Sequence, residues 1–89
     1  MDFEWDHEKA VANEGKHGVA FEEAVEVFAD DYSSTVRDPD HSVDEERFVL
    51  FGRARSGRHL VVAFTERDGR IRLISARPMT PRERRAYEQ

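Results

Sequence analysis

The sequence predicts a small α+β domain, an antiparallel sheet with helices packed on it, and three observations carry that expectation. Three runs rich in β-branched and aromatic residues (Arg47 to Ala54, Arg58 to Arg67, Arg70 to Ala76) are separated by Ser56-Gly57 and Asp68-Gly69, both two-residue hairpin signals. Phe21, Ala24, Val25 and Phe28 fall at i, i+3, i+4 and i+7, the apolar face of a helix over Ala20 to Phe28, with Glu22, Glu23 and Glu26 as its solvent side. Thr80-Pro81-Arg82-Glu83 supplies an N-cap, a proline at the first helical position and a glutamate at the third, which opens a C-terminal helix to about Glu88.

In chain order, Phe3-Glu4-Trp5 reads as a short first strand that ends at Asp6, an N-cap for a surface helix from His7 to about Lys16, with Gly15 and Gly18 at its end. The Ala20 to Phe28 helix follows and should pack on the core face of the meander, each buried phenylalanine or valine contributing on the order of 1.5–3 kcal/mol. From Asp30 to Glu46 the chain holds seven acidic residues with turn formers and Pro39, and reads as a solvated connector with a short edge strand around Ser34 to Val36. Asp38, Asp40, Ser42 and Asp44 imitate the alternate ligands of a calcium loop. Val43 stands where that loop needs glycine and Val49 where it needs glutamate, so no metal site is expected.

Two-residue loops at both turns would pair Arg53 with Leu60, Phe51 with Val62, Val49 with Phe64, Phe64 with Leu73 and Glu66 with Ile71. One face would then gather Val49, Phe51, Leu60, Val62, Phe64, Ile71 and Leu73 as the core. The other would carry Phe48, Leu50, Val61, Ala63, Thr65, Ile74 and the arginines Arg67, Arg70 and Arg72. A loop longer by one residue would exchange the faces. The element order is β-α-α-β-β-β-α, within one domain over residues 1–89.

The chain has 89 residues and no cysteine, so disulfides and thiolate metal sites are excluded, in keeping with a reducing compartment. No apolar run approaches the roughly 20 residues of a membrane span, and the start is unlike a signal peptide, so a cytoplasmic location is expected. The net charge of −5 hides a division along the chain. Residues 1–46 hold 15 acidic and 3 basic residues, whereas residues 47–89 hold 4 acidic and 11 basic, all of the latter arginine. Arginine's planar fork suits phosphate oxygens better than lysine's point charge, which points to a phosphate-facing half. Mutual attraction of two oppositely charged halves within one fold accounts for the division equally well.

The opening FEWDHEKAVANEGKHGVAFEEAVEVF, the middle DHSVDEERFVLFG and the end VVAFTERDGRIRLISARPMTPRERRAYE together resemble the BrnT family, ribonuclease toxins of bacterial type II toxin–antitoxin modules. The resemblance covers nearly the whole chain and rests on the ordered set W-D, K-H-G-V, E-R, T-x-R, I-S-A-R and E-R-x-x-Y. It implies the compact RelE-like architecture, cleavage of cytoplasmic RNA that arrests growth, and a BrnA-type antitoxin that neutralises the toxin and represses the shared operon. DNA would then be met only indirectly, through the antitoxin. A homodimer and a toxin–antitoxin hetero-oligomer both stay open.

Cleavage without metal or other cofactor uses the RNA 2′-hydroxyl as internal nucleophile, which requires a proton acceptor, a proton donor and cations for the phosphate. Arg47, Arg67 and Arg77, from the E-R, T-x-R and I-S-A-R segments, are the candidate cations. His17, beside Lys16 in K-H-G, is the first candidate for proton transfer because imidazole titrates near neutral pH, although a histidine ahead of Gly18 also serves as a plain helix C-terminal group. Glu46 is a second candidate base. Trp5 and Tyr87 could stack on bases, with Thr65, Arg70 and Arg72 contacting RNA, while core packing is the commoner fate of a tryptophan in so small a domain. A non-catalytic module of the same fold that binds RNA or an acidic peptide is the alternative.

Overall fold

The computed structural model describes residues 1–38 and 45–89. The elements are β1 (Phe3–Glu4), α1 (His7–His17), α2 (Phe21–Glu26) continued by a 3-10 turn (Val27–Ala29), β2 (Ser34–Asp38), β3 (Arg47–Arg53), β4 (His59–Arg67), β5 (Arg70–Pro78) and α3 (Pro81–Tyr87). The expected order is present, and the short strand after Ala29 takes the edge of a five-stranded sheet ordered β1-β5-β4-β3-β2. Only β1, parallel to β5, departs from antiparallel pairing. The acidic residues from Asp40 to Asp44 that imitate a calcium loop lie outside the described residues.

Local chemistry sets the boundaries. The Asp6 carboxylate accepts from the N–H groups of Glu8 and Lys9, starting α1, and Gly18 ends it in the left-handed conformation with its N–H on the Glu14 carbonyl. Thr80 and Glu83 form the expected reciprocal cap of α3.

The core lies between one sheet face and the α1–α2 layer. Val19, Phe21, Ala24 and Val27 from the helical layer meet Leu50, Leu60, Val62, Phe64, Leu73 and Ala76 from the sheet, all buried. An aromatic chain crosses it, Phe3 on Phe28 and Phe28 on Phe64 both edge-to-face at 5.0 Å, with Phe48 stacked on Phe64 at 5.5 Å.

Strand β3 is where the expected register fails. Arg53 pairs with His59, Phe51 with Val61, Val49 with Ala63 and Phe48 with Phe64, one residue away from the expected pairing. The cause is the first turn. Gly57 N–H closes a turn onto the Ala54 carbonyl and Ala54 N–H bonds Arg58, so the loop has three residues, Arg55 to Gly57, with Gly57 left-handed at φ 93°. That extra residue exchanges the faces of β3, placing Phe48 and Leu50 in the core and turning Val49 and Phe51 to the other side. The second turn is as expected: Asp68 and Gly69 both adopt positive φ, and Phe64–Leu73 and Glu66–Ile71 are paired. Past that point pairing passes to Ala63–Ser75, leaving Ile74 as the extra residue of a bulge.

A buried amide completes the sheet where β1 runs out. Strand β1 covers only Ile71 and Arg72, and further along β5 the Asn13 side chain takes the place of a neighbouring strand. Its Nδ2 donates to the Ala76 carbonyl at 2.9 Å and to the Val19 carbonyl at 3.0 Å, while its Oδ1 accepts from Ala76 N–H at 3.0 Å.

Candidate functional site

Both helices α1 and α2 occupy one face of the sheet, and the face they leave carries the arginines. Because directly paired residues share a face, a single row crosses all five strands: Glu4, Arg72, Thr65, Arg47 and Asp38. Arg67 and Arg70 extend it toward the Asp68-Gly69 turn. In the other direction follow the row of Ser75, Ala63, Val49 and Val36, the row of Arg77, Val61, Phe51 and Ser34, and the pair His59 and Arg53. Sequence positions 30 residues apart thus form one basic surface.

Arg67, Arg70, Arg72 and Arg77 are each aimed by a carboxylate. Arg72 donates to Glu4 Oε2 at 2.8 Å and Arg70 lies 3.6 Å from Glu4 Oε1. These contacts, the Arg72 hydrogen bond first, hold the Glu4 carboxyl below its ordinary range despite the opposing effect of burial. Arg67 donates to Glu45 at 3.0 Å, and that bond raises its pKa. Arg77 grips Glu83 of α3 with two hydrogen bonds of 2.8 and 2.9 Å, pulling the Glu83 carboxyl down to about 2. Thr65, buried in the row, spends its hydroxyl on the Glu46 carbonyl at 2.6 Å. Arg47 beside it is half-buried.

The remaining predicted residues are distributed differently. His17 and Lys16 end α1, in the helical layer, and the next residue, Gly18, gives its carbonyl to Arg58 of the β3–β4 turn at 2.8 Å. That turn stands at the opposite end of the sheet from Arg67 and Arg70, so the structure does not bring the K-H-G pair together with the arginine row. Glu46 makes an exposed 3.1 Å ion pair with Arg37. Trp5 packs edge-to-face on Phe21 at 5.8 Å against the core. Tyr87 of α3 lies edge-to-face on His59 at 5.4 Å and donates its hydroxyl to Asp30. Burial first, and then the bond to ionised Asp30, push the Tyr87 phenol up to about 12. Burial of Asp30 works against its ionisation, but the bonds from Tyr87 and from the N–H groups of Tyr32 and Arg53 outweigh it.

Two groups on this face escaped the sequence reading. Glu4 was legible: alternation in Phe3-Glu4-Trp5 sets it opposite the two aromatics, on whichever face the sheet leaves uncovered. His59 was legible too, since alternation sets it on one face of β4 with Val61, Ala63 and Thr65 whatever the turn length, and the three-residue turn brings Arg53 opposite it. Both accounts of the charge division are also visible, since Glu23, Glu45 and Glu4 of the acidic half pair with Arg58, Arg67, Arg70 and Arg72 of the basic half, while Arg67, Arg70 and Arg72 stay together on one surface.

The chain is a small α+β protein in which the sheet face opposite α1 and α2 is set with arginines from three strands and bordered by α3. Residues 5–83 match the family described as "Ribonuclease toxin, BrnT, of type II toxin-antitoxin system", and the chain belongs to this family. The crystal structure of the Brucella abortus ribonuclease toxin BrnT superposes with a TM-score of 0.67 at 23% identity, covering 90% of this chain and 97% of that one, and so has the same fold. No curated protein sequence matches the chain. The chain is therefore a member of a toxin family whose modules include an antitoxin protein, and among its described residues no helix is long and apolar enough to cross a membrane.

Proposed function

We propose that the chain is an endoribonuclease toxin that cleaves RNA on the arginine-bearing sheet face, opposite α1 and α2, by metal-independent attack of the 2′-hydroxyl. The observation that carries the reading is the gathering of Arg47, Arg67, Arg70, Arg72 and Arg77 on that one face, around Thr65. Arg77, the member nearest His59, neutralises the phosphate as it becomes pentacoordinate, while Arg47 and Arg67, with Arg70 and Arg72 aimed by Glu4, hold the flanking backbone. Tyr87, on the same side, offers a ring for a base.

Proton transfer falls to His59 in preference to His17, because His59 shares the arginine face and His17 ends a helix in the other layer. The antitoxin, of BrnA type, neutralises the toxin by presenting carboxylates to the same guanidinium forks. The test is incubation of the purified chain with total RNA in excess EDTA, beside Arg77→Ala, His59→Ala and His17→Ala. Cleavage lost in the first two and kept in the third supports the assignment. Tight RNA binding without any cleavage by the wild type would instead favour the non-catalytic module.

A further inference from the structure

Strand β2 closes one edge of the sheet, and Ser34 to Arg37 are all exposed. Its pairing to β3 runs unbroken from Ser34–Phe51 to Asp38–Arg47, so the strand has neither a bulge nor a proline within it. Edge strands are ordinarily blunted by such devices, because alternate N–H and C=O groups otherwise point outward as a template for another strand. Beside this edge, on the arginine-bearing side, a cleft of about 590 Å³ opens between β2 and α3. Phe51 and Val36 line it with Tyr32 and Ala86, and Arg82 also borders it. Tyr32 is 83% exposed and Val36 47%, which makes them two of the four large apolar side chains left open to solvent among the described residues.

We propose that this edge and cleft are the docking place of the module's antitoxin. An extended segment of that protein adds to β2 as a further strand, seats an apolar side chain on Val36, Phe51 and Tyr32, and turns carboxylates toward Arg82 and the arginine face beyond it. The inference rests on the toxin reading above and adds the place and mode of contact. Charge and hydrogen bonding select this occupant over two others. A second copy paired edge to edge would flank the junction with two α3 helices, each bearing Arg82, Arg84 and Arg85. RNA offers repeating phosphates, which are no complement to the outward carbonyls of a strand.

The probe is the protein encoded by the reading frame adjoining this gene, purified with the full chain as a complex. Val36→Lys and Tyr32→Ala alter exposed side chains outside the cleavage machinery, so melting temperature and RNA cleavage in EDTA should match the wild type. Each should weaken the complex at least tenfold, and hydrogen exchange of the amides in residues 34–38 should slow only when the partner is bound. Unchanged affinity with unchanged exchange overturns the proposal, as does a wild-type chain that forms no complex with this probe. A dimer of the isolated chain that Val36→Lys dissolves, or variants that lose RNA affinity instead, would give the cleft to a second copy or to RNA. The toxin reading fails separately, by a wild type that does not cleave RNA while the edge amides still become protected.

Discussion

Arg77 of β5 and Glu83 of α3 face each other fork to fork, Nη1 to Oε1 at 2.8 Å and Nη2 to Oε2 at 2.9 Å, and Glu83 Oε1 also accepts from Thr80 N–H at 2.8 Å. One carboxylate therefore closes the cap of α3 and fastens that helix to the arginine face. In the folded chain the Glu83 carboxyl is pulled down to about 2 from an ordinary value of 4.5, so between those values the unfolded chain binds the extra proton. The stabilisation is full above about pH 4.5 and is lost as pH falls toward 2. The shift corresponds to about 3 kcal/mol unscreened, but the Arg77 side chain is 40% exposed, and solvent reduces the contribution to on the order of 1 kcal/mol. Thermal melts of wild type and Glu83→Gln should differ at pH 6 and converge as pH falls to about 2. A constant difference across that range would refute the linkage.

Arg77→Ala should lower RNA cleavage by ~10²–10³-fold, the usual effect of removing a donor aimed at a developing charge, and Arg67→Ala should lower it through weaker RNA binding. Both side chains are partly exposed, so neither truncation opens a core cavity. Circular dichroism should be unchanged while cleavage in a gel assay collapses. Full cleavage by both variants would sink the arginine assignment.

Cleavage should persist in excess EDTA, because guanidinium groups supply the positive charge that a metal would otherwise bring. The calcium-like pattern from Asp38 also breaks at Val43 and Val49. Activity abolished by chelation and restored with magnesium or manganese would show that the chemistry had been misassigned.

Gly52 belongs to the core-facing side of β3, where a Cβ would lie 2.6 Å from Val27 Cγ1 and 3.1 Å from Ser33 Cβ. Gly52→Ala should destabilise the fold by about 1–3 kcal/mol through overpacking. A denaturant midpoint equal to wild type would show that the 3-10 turn can move aside.

The legible parts of this fold are those fixed by neighbours in sequence. Thr80 to Glu83 cap a helix through contacts three residues apart, and Asp68-Gly69 forces both left-handed conformations on a two-residue turn. Strand β3 was misread because its faces depend on a loop count that Ser56-Gly57 leaves ambiguous: the same dipeptide ends a three-residue loop here. At the candidate site, residue type was readable and placement was not. Nothing local tells Arg47 that it will stand beside Thr65, or His17 that it will end in the opposite layer, since both follow from pairing across the sheet. Asn13 was passed over altogether. Within its helix it looks like a solvent-facing residue, and its role appears only where β1 proves too short to cover β5.

That asparagine makes the sharpest stability prediction. Asn13→Ala leaves the buried N–H and C=O of Ala76 without the amide that completes them, and releases the Val19 carbonyl as well. Each unsatisfied buried group costs about 1–3 kcal/mol, so a loss of roughly 2–4 kcal/mol is expected after partial relaxation. For a domain of this size that lowers the melting temperature by about 10 °C or more. Asn13→Asp should be no better. It keeps an acceptor for Ala76 N–H but sets a carboxylate against two carbonyl oxygens, and burial opposes its charge. Melting near wild type in both variants would mean that water enters to replace the amide, and that α1 is held to β5 by its apolar contacts alone.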